Sequence, residues 1–190
     1  MLTAQYSENP EALNAFIKAG ADVNAKENGG STPLIIAVQH NSEEVTNALI
    51  KAGADVNAKN NDGSTPLMVA VYFDKSSGIV NALIEASADV NAKNKDRRTA
   101  LSFAAEKREP EIVSLLLNAG ADVYENDVES AQGNERLKDT AIIEELKQRA
   151  IHFDFTLLYI GALLLLFVAV NLALAIKRRG KTKKLYNAGK

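Results

Sequence analysis

The 190-residue chain has no cysteine and no tryptophan, and only two histidines and four prolines. Without cysteine, disulfides and thiolate metal sites are excluded, and composition says nothing about redox compartment. The two imidazoles are His40, at a turn, and His152, beside a long apolar run. A nucleophile–base–acid set needs side chains that converge, and this inventory offers none, so no catalytic residue, cofactor or metal is expected. Residues 1–7 show neither a basic start nor an apolar stretch, so no secretory signal peptide is visible. The body of the chain also lacks an excess of cations. Seven of the 22 Lys/Arg lie in residues 177–190, which hold no acid, leaving 15 against all 24 Asp/Glu upstream. Nucleic-acid binding needs clustered cations to displace counterions, and an acidic body disfavours it.

What the chain does have is repetition. Gly20-Ala-Asp-Val-Asn-Ala-Lys26 returns as Gly53 to Lys59, as Ser87 to Lys93, and in part as Gly120-Ala-Asp-Val-Tyr124, at spacings of 33, 34 and 33 residues. A second element recurs with it: Gly30-Ser-Thr-Pro-Leu34, Gly63-Ser-Thr-Pro-Leu67 and Arg97-Arg-Thr-Ala-Leu101. A period in this range signals a stacked array whose units cannot bury their apolar faces alone.

The local chemistry reads as two helices and a turn per unit. Thr32 and Thr65 stand before Pro33 and Pro66, which suits a hydroxyl N-cap and a proline in the first helical position. Leu34, Ala37 and Val38 then face inward. Glu43 and Glu44 open a second helix with buried face Val45, Ala48 and Leu49, and Gly53 reads as its left-handed stop. Asp55 to Asp62 is an Asn/Asp/Gly-rich, hairpin-like loop. Pro10 to Lys18 reads as a helix with Leu13, Phe16 and Ile17 on one face, its only possible partner being Leu2–Ser7. That start is either a natural N-terminal cap or the remainder of a longer chain. At the other end, Asp127–Gly133 and Asp139–Arg149 read as helices, with Ile142, Ile143 and Leu146 spaced like Ile112, Val113 and Leu116.

These residues resemble the ankyrin repeat over roughly residues 1–150. The resemblance implies an all-α fold: an ankyrin-repeat solenoid of helix-turn-helix units and hairpin-like loops. The divisions are a partial N-terminal capping repeat at 1–29, three repeats at 30–126, and a degenerate capping repeat at 127–150. Departures from the family pattern stand out. The histidine usual after Thr-Pro-Leu is Ile35, Met68 or Ser102, so its hydrogen bonds are replaced or absent. Ser87 and Arg97 take positions the family gives to glycine. The extra residue of the 34-residue unit falls near Asp74–Gly78, between two helices, where added length costs little.

Phe155 to Ile176 is a run of 22 residues without charge. At 1.5 Å per residue it reaches about 33 Å, enough for one transmembrane helix. Flanking charge is heavier on the C-terminal side (Lys177, Arg178, Arg179, Lys181, Lys183, Lys184) than on the N-terminal side (Lys147, Arg149). By the positive-inside rule the tail, 177–190, is expected in the cytoplasm and the repeats outside. The absent signal peptide argues the other way. Basic clusters of this kind also suit anionic lipid headgroups, although their commoner role is the topology signal. Within the span, Ala169, Ala173 and Asn171 give a weak basis for self-association.

Binding positions follow from the resemblance, since ankyrin arrays engage protein partners through hairpin tips and the exposed ends of first helices. Those positions are Asn28, Gly29, Ser31, Gln39 and His40; then Asn61, Asp62, Ser64, Tyr72 and Phe73; then Lys95, Asp96, Arg98, Glu106 and Lys107. Tyr72 and Phe73 are aromatics at a usually polar pair, which suits a binding hot spot. The alternative is that they fold beneath the longer loop as core. Two short motifs read as turn chemistry: Asn61-Asp62-Gly63 lacks the further ligands of a calcium loop, and Gly29-Gly30-Ser31 lacks the lysine of a phosphate loop. The expectation is a membrane-anchored, non-enzymatic protein-interaction module, a scaffold or adaptor. The alternative is a small membrane subunit whose span acts while the repeats serve assembly.

Overall fold

The computed structural model describes residues 10–40, 42–73, 75–107, 109–132 and 141–150, together with Ile160 and Leu163. Eight helices are bounded within it: α1 (Pro10–Lys18), α2 (Pro33–Gln39), α3 (Glu43–Lys51), α4 (Pro66–Tyr72), α5 (Ser77–Glu85), α6 (Ala100–Lys107), α7 (Pro110–Asn118) and α8 (Glu125–Gln132). Residues 141–150 are helical as well. No strand occurs among the described residues.

The helix starts follow the expected capping chemistry. The Thr32 hydroxyl accepts from the Ile35 N–H at 3.4 Å, and Thr65 accepts from Met68 at 3.3 Å, each with proline in the first turn. Ser42 and Ser76 do the same for α3 and α5, so each of these helices has one otherwise orphaned donor satisfied by a side chain. At the other end of α3, Gly53 adopts φ +86°. It donates to the Ile50 carbonyl at 3.0 Å while Ala54 donates to Leu49 at 3.0 Å, a Schellman closure. The same pair of bonds ends α1 at Gly20, α5 at Ser87 and α7 at Gly120. Ser87 takes that left-handed conformation at φ +67°, and Arg97 does so at φ +62° in the hairpin.

Packing is in two layers. Helices α2, α4, α6 and α8 lie side by side, each against the next, and α1, α3, α5 and α7 form the second layer behind them. Leu34, Ala37, Val38, Val45 and Leu49 are buried, as are their counterparts Leu67, Ala70, Val71, Ile79 and Leu83 one unit on. The core is continuous from Leu13 to Leu146. Each unit supplies a face that only its neighbours cover, which is how a solenoid divides its stability.

Several sequence expectations need correction. Phe16 does not join the buried face of α1; it is 53% exposed, while Leu13 is buried and Ile17 packs against the core where α1 meets α3. Ala48 is only partly buried. Helix α8 begins at Glu125, two residues before the predicted start. There Asp127 reaches back and its carboxylate accepts from the Tyr124 N–H at 2.9 Å, fixing the first turn. The extra residue does fall between α4 and α5, which are joined by four residues where α2 and α3 are joined by three.

Among the described residues, no helix is long and apolar enough to cross a membrane. Of the run 155–176, only Ile160 and Leu163 are described, both helical and exposed. The small-residue pair at Ala169 and Ala173, the basic tail and the Leu2–Ser7 segment lie outside the described residues.

Candidate functional site

Three ladders of side-chain and backbone bonds line up the hairpin side of the array. In the first, an asparagine from each unit accepts from the Asp N–H of the next: Asn24 to Asp55 at 2.8 Å, Asn57 to Asp89 at 2.7 Å, Asn91 to Asp122 at 2.7 Å. The Asn57 and Asn91 amides also donate to the Ser87 and Gly120 carbonyls at 3.3 Å. Each side chain therefore uses both ends of its amide to tie one unit to the next. In the second ladder, Lys26 Nζ donates to the Lys59 carbonyl and Lys59 Nζ to that of Lys93, both at 2.9 Å. Both series end at Tyr124. It stands where an asparagine would continue the first ladder, and its ring lies 4.1 Å beneath Lys93 Nζ.

The third ladder joins the hairpin tips. Asn61 N donates to the Gly29 carbonyl at 3.0 Å, and its side-chain amide donates to that of Asn28 at 3.0 Å. Lys95 N donates to the Asp62 carbonyl at 3.0 Å. Asn28 and Asn61, expected to meet a partner, thus also hold two tips together. Within each tip, Asn60 Oδ1 accepts from the Asp62 and Ser64 N–H groups, and Asn94 Oδ1 accepts from Arg98. Asn61-Asp62-Gly63 is turn chemistry. Among the described residues, no group of three or more His, Cys, Asp or Glu could hold a metal ion.

Where the tips meet the first-layer helices α2, α4 and α6, a groove of about 450 Å³ opens. Ser31, Gln39, Asp62 and Ser64 line one part of it, and Tyr72, Phe73, Asp96 and Arg98 another, so eight of the positions singled out from sequence share one concavity. His40 caps α2 with its backbone N–H and is exposed outside it. Asn28, Asn61, Lys95, Glu106 and Lys107 border the array without lining the groove.

Tyr72 and Phe73 end α4 and are 47% and 43% exposed, so the reading in which they fold away as core fails. Their rings meet edge to face at 5.0 Å, and Tyr72 meets Phe103 edge to face at 5.5 Å. Such geometry adds about 0.5–1.5 kcal/mol per pair beyond area burial and holds the rings in place. Cations surround the cluster. Arg98 lies 4.0 Å over Phe103 and pairs with Glu106, Lys107 Nζ lies 4.8 Å from the Tyr72 ring centre, and Lys75 Nζ lies 5.7 Å from that of Phe73.

Sequence reasoning missed Phe103 and the apolar floor beneath it, Ile35, Met68 and Val69. Its signal was available: Phe103 stands where the preceding units carry Val69 and Ile36, an aromatic placed on an aliphatic position. Asp127 was also missed. It is 1% exposed, and burial raises its carboxyl pKa against the opposing pull of the Tyr124 N–H, the Ser102 hydroxyl, Lys93 and Arg98. Ser102 takes the histidine position and bonds Thr99 at both N–H and hydroxyl (3.3 and 3.1 Å), whereas Ile35 and Met68 fill the same place as buried apolar side chains.

Compared with known families, the chain matches a model described as ankyrin repeats (3 copies) over residues 1–94 and 79–127. No curated protein matches the chain.

Proposed function

The chain belongs to the ankyrin-repeat family, and from that premise we propose that it is a protein-interaction module, tethered to a membrane, that acts by recognition without chemistry. Ankyrin repeats imply protein partners, and proteins of this type are typically interaction modules and not enzymes. The observation that carries the reading is the exposed Tyr72–Phe73 pair, fixed by Phe103 inside a groove that spans three repeats. Aromatics on a preorganised floor lose little entropy on binding and are the residues that dominate interface energetics.

Tethering rests on sequence. The uncharged run 155–176 has the length and composition of a single span, and residues 177–190 have the charge of a cytoplasmic flank. In this reading the repeats lie outside, close to the bilayer, and the module serves as a scaffold or adaptor there.

Three experiments test it. Alkaline extraction of membranes should leave the chain in the pellet, and protease added to sealed membranes should cut the repeats; cleavage only after lysis reverses the orientation. Replacing 155–176 with an unrelated apolar helix should leave partner capture intact. Loss of function on that exchange transfers the activity to the span and leaves the repeats as an assembly handle.

A further inference from the structure

The groove holds charge that the array itself leaves unmatched. Three charged side chains line it: Asp62, Asp96 and Arg98. Arg98 is committed twice, to Glu106 and to the Phe103 ring. Asp62 and Asp96 are exposed at neighbouring hairpin tips, joined by the Lys95-to-Asp62 backbone bond, and neither makes an ion pair among the described residues. The aromatic rings have cations stacked on them, whereas these two carboxylates are in no ion pair among the described residues, although Lys95 and Arg97 flank Asp96 in the chain. The groove therefore offers two unpaired carboxylates at the tips and apolar surface on the floor.

Resting on the reading of this groove as the docking site, we propose that its occupant is an extended, basic–apolar segment of a partner protein. An arginine or lysine of that segment lies against Asp62 and Asp96, and a neighbouring apolar side chain covers Tyr72 and Phe73. A concavity of about 450 Å³ receives a few side chains, not the face of a folded domain. A single exposed ion pair contributes little, so the apolar contact carries the affinity and the carboxylates carry the selectivity.

The test uses the full chain in detergent micelles and fluorescence anisotropy with a short labelled peptide alternating leucine and arginine. Counterparts carry glutamine or glutamate in place of arginine. The arginine peptide should bind, weaken as salt rises, and exceed both counterparts by about tenfold or more. Asp62→Asn/Asp96→Asn should remove that preference, with an unchanged melting curve confirming the fold. No measurable binding of the arginine peptide overturns the proposal. So does equal binding of the glutamine peptide, or an Asn double variant that binds like the wild type. In those last two cases the docking site itself still stands if Tyr72→Ala/Phe73→Ala abolishes binding; if that variant binds normally, the groove reading falls as well.

Discussion

Gly30 and Arg97 occupy the same place in two hairpins of one array, both in the left-handed region, at φ +74° and +62°. Their surroundings differ. A Cβ on Gly30 would lie 2.5 Å from Asn61 Oδ1 and 2.8 Å from the Asn61 nitrogen, because the next tip packs directly onto it. After Arg97 the chain turns at Tyr124 straight into α8, and no further tip bond is formed among the described residues. Glycine is needed where a neighbour presses on the backbone and is dispensable where the stack of hairpins stops. The last hairpin is therefore free to vary, and it supplies the groove with Asp96 and Arg98, the latter lying over Phe103 of α6. Regular units hold the array together; the irregular one shapes its surface.

The most severe way to break that division is to attack what all units share. Leu83→Asp places a charge at a fully buried position and should cost about 3–5 kcal/mol or more, abolishing the cooperative melt followed by circular dichroism. A melting curve like the wild type would refute the shared core. Next in size is the glycine comparison itself. Gly30→Ala should destabilise by about 2–3 kcal/mol through positive φ and the Asn61 contact together, whereas Arg97→Gly should stabilise by up to about 1 kcal/mol. Equal signs for the two substitutions would remove the distinction.

A regular unit can also be improved. Thr46 is 1% exposed, and its hydroxyl has no hydrogen-bond partner; the equivalent positions in the next two units are the buried Val80 and Val113. Thr46→Val should stabilise by about 1 kcal/mol, read as a higher urea midpoint at constant slope. The smallest effect lies in the irregular part. Asp127 has a raised pKa in the fold, so the folded state binds its proton more tightly than the unfolded chain does. Its favourable contribution is fully present below the unfolded carboxylate range, around pH 4, and is lost as pH rises through the raised value. Relative to Asp127→Asn, the wild type should therefore gain thermal stability as pH falls from neutral through that range.

Much of the fold was legible because its signals are local. A Thr-Pro pair, a glycine after the last helical turn and an Asx-rich loop each act within a few residues. Their repetition at one period identified them together. The ladders were not legible, because Asn57 and Lys59 look like loop residues until the next unit is set beside them. Phe16 failed for a related reason: helical spacing gives a face, but not how wide a stripe of that face its neighbours cover. Tyr72 and Phe73 were visible as irregularities, but only the packing of Phe103 distinguishes an exposed, braced pair from a buried one. Asp127 carried no sequence signal, since its burial depends on α6 lying against α8.

The central claim is that binding concentrates where the repeat departs from its pattern. Gln39-His40 and Tyr72-Phe73 are equivalent pairs at the ends of α2 and α4, one polar as the pattern expects and one aromatic. Quantitative partner capture from detergent-solubilised membranes, comparing Gln39→Ala/His40→Ala with Tyr72→Ala/Phe73→Ala in the full chain, tests it most directly. Partners retained by the first variant and lost by the second, at unchanged melting temperature, is the predicted result; an identical partner set for both would contradict it.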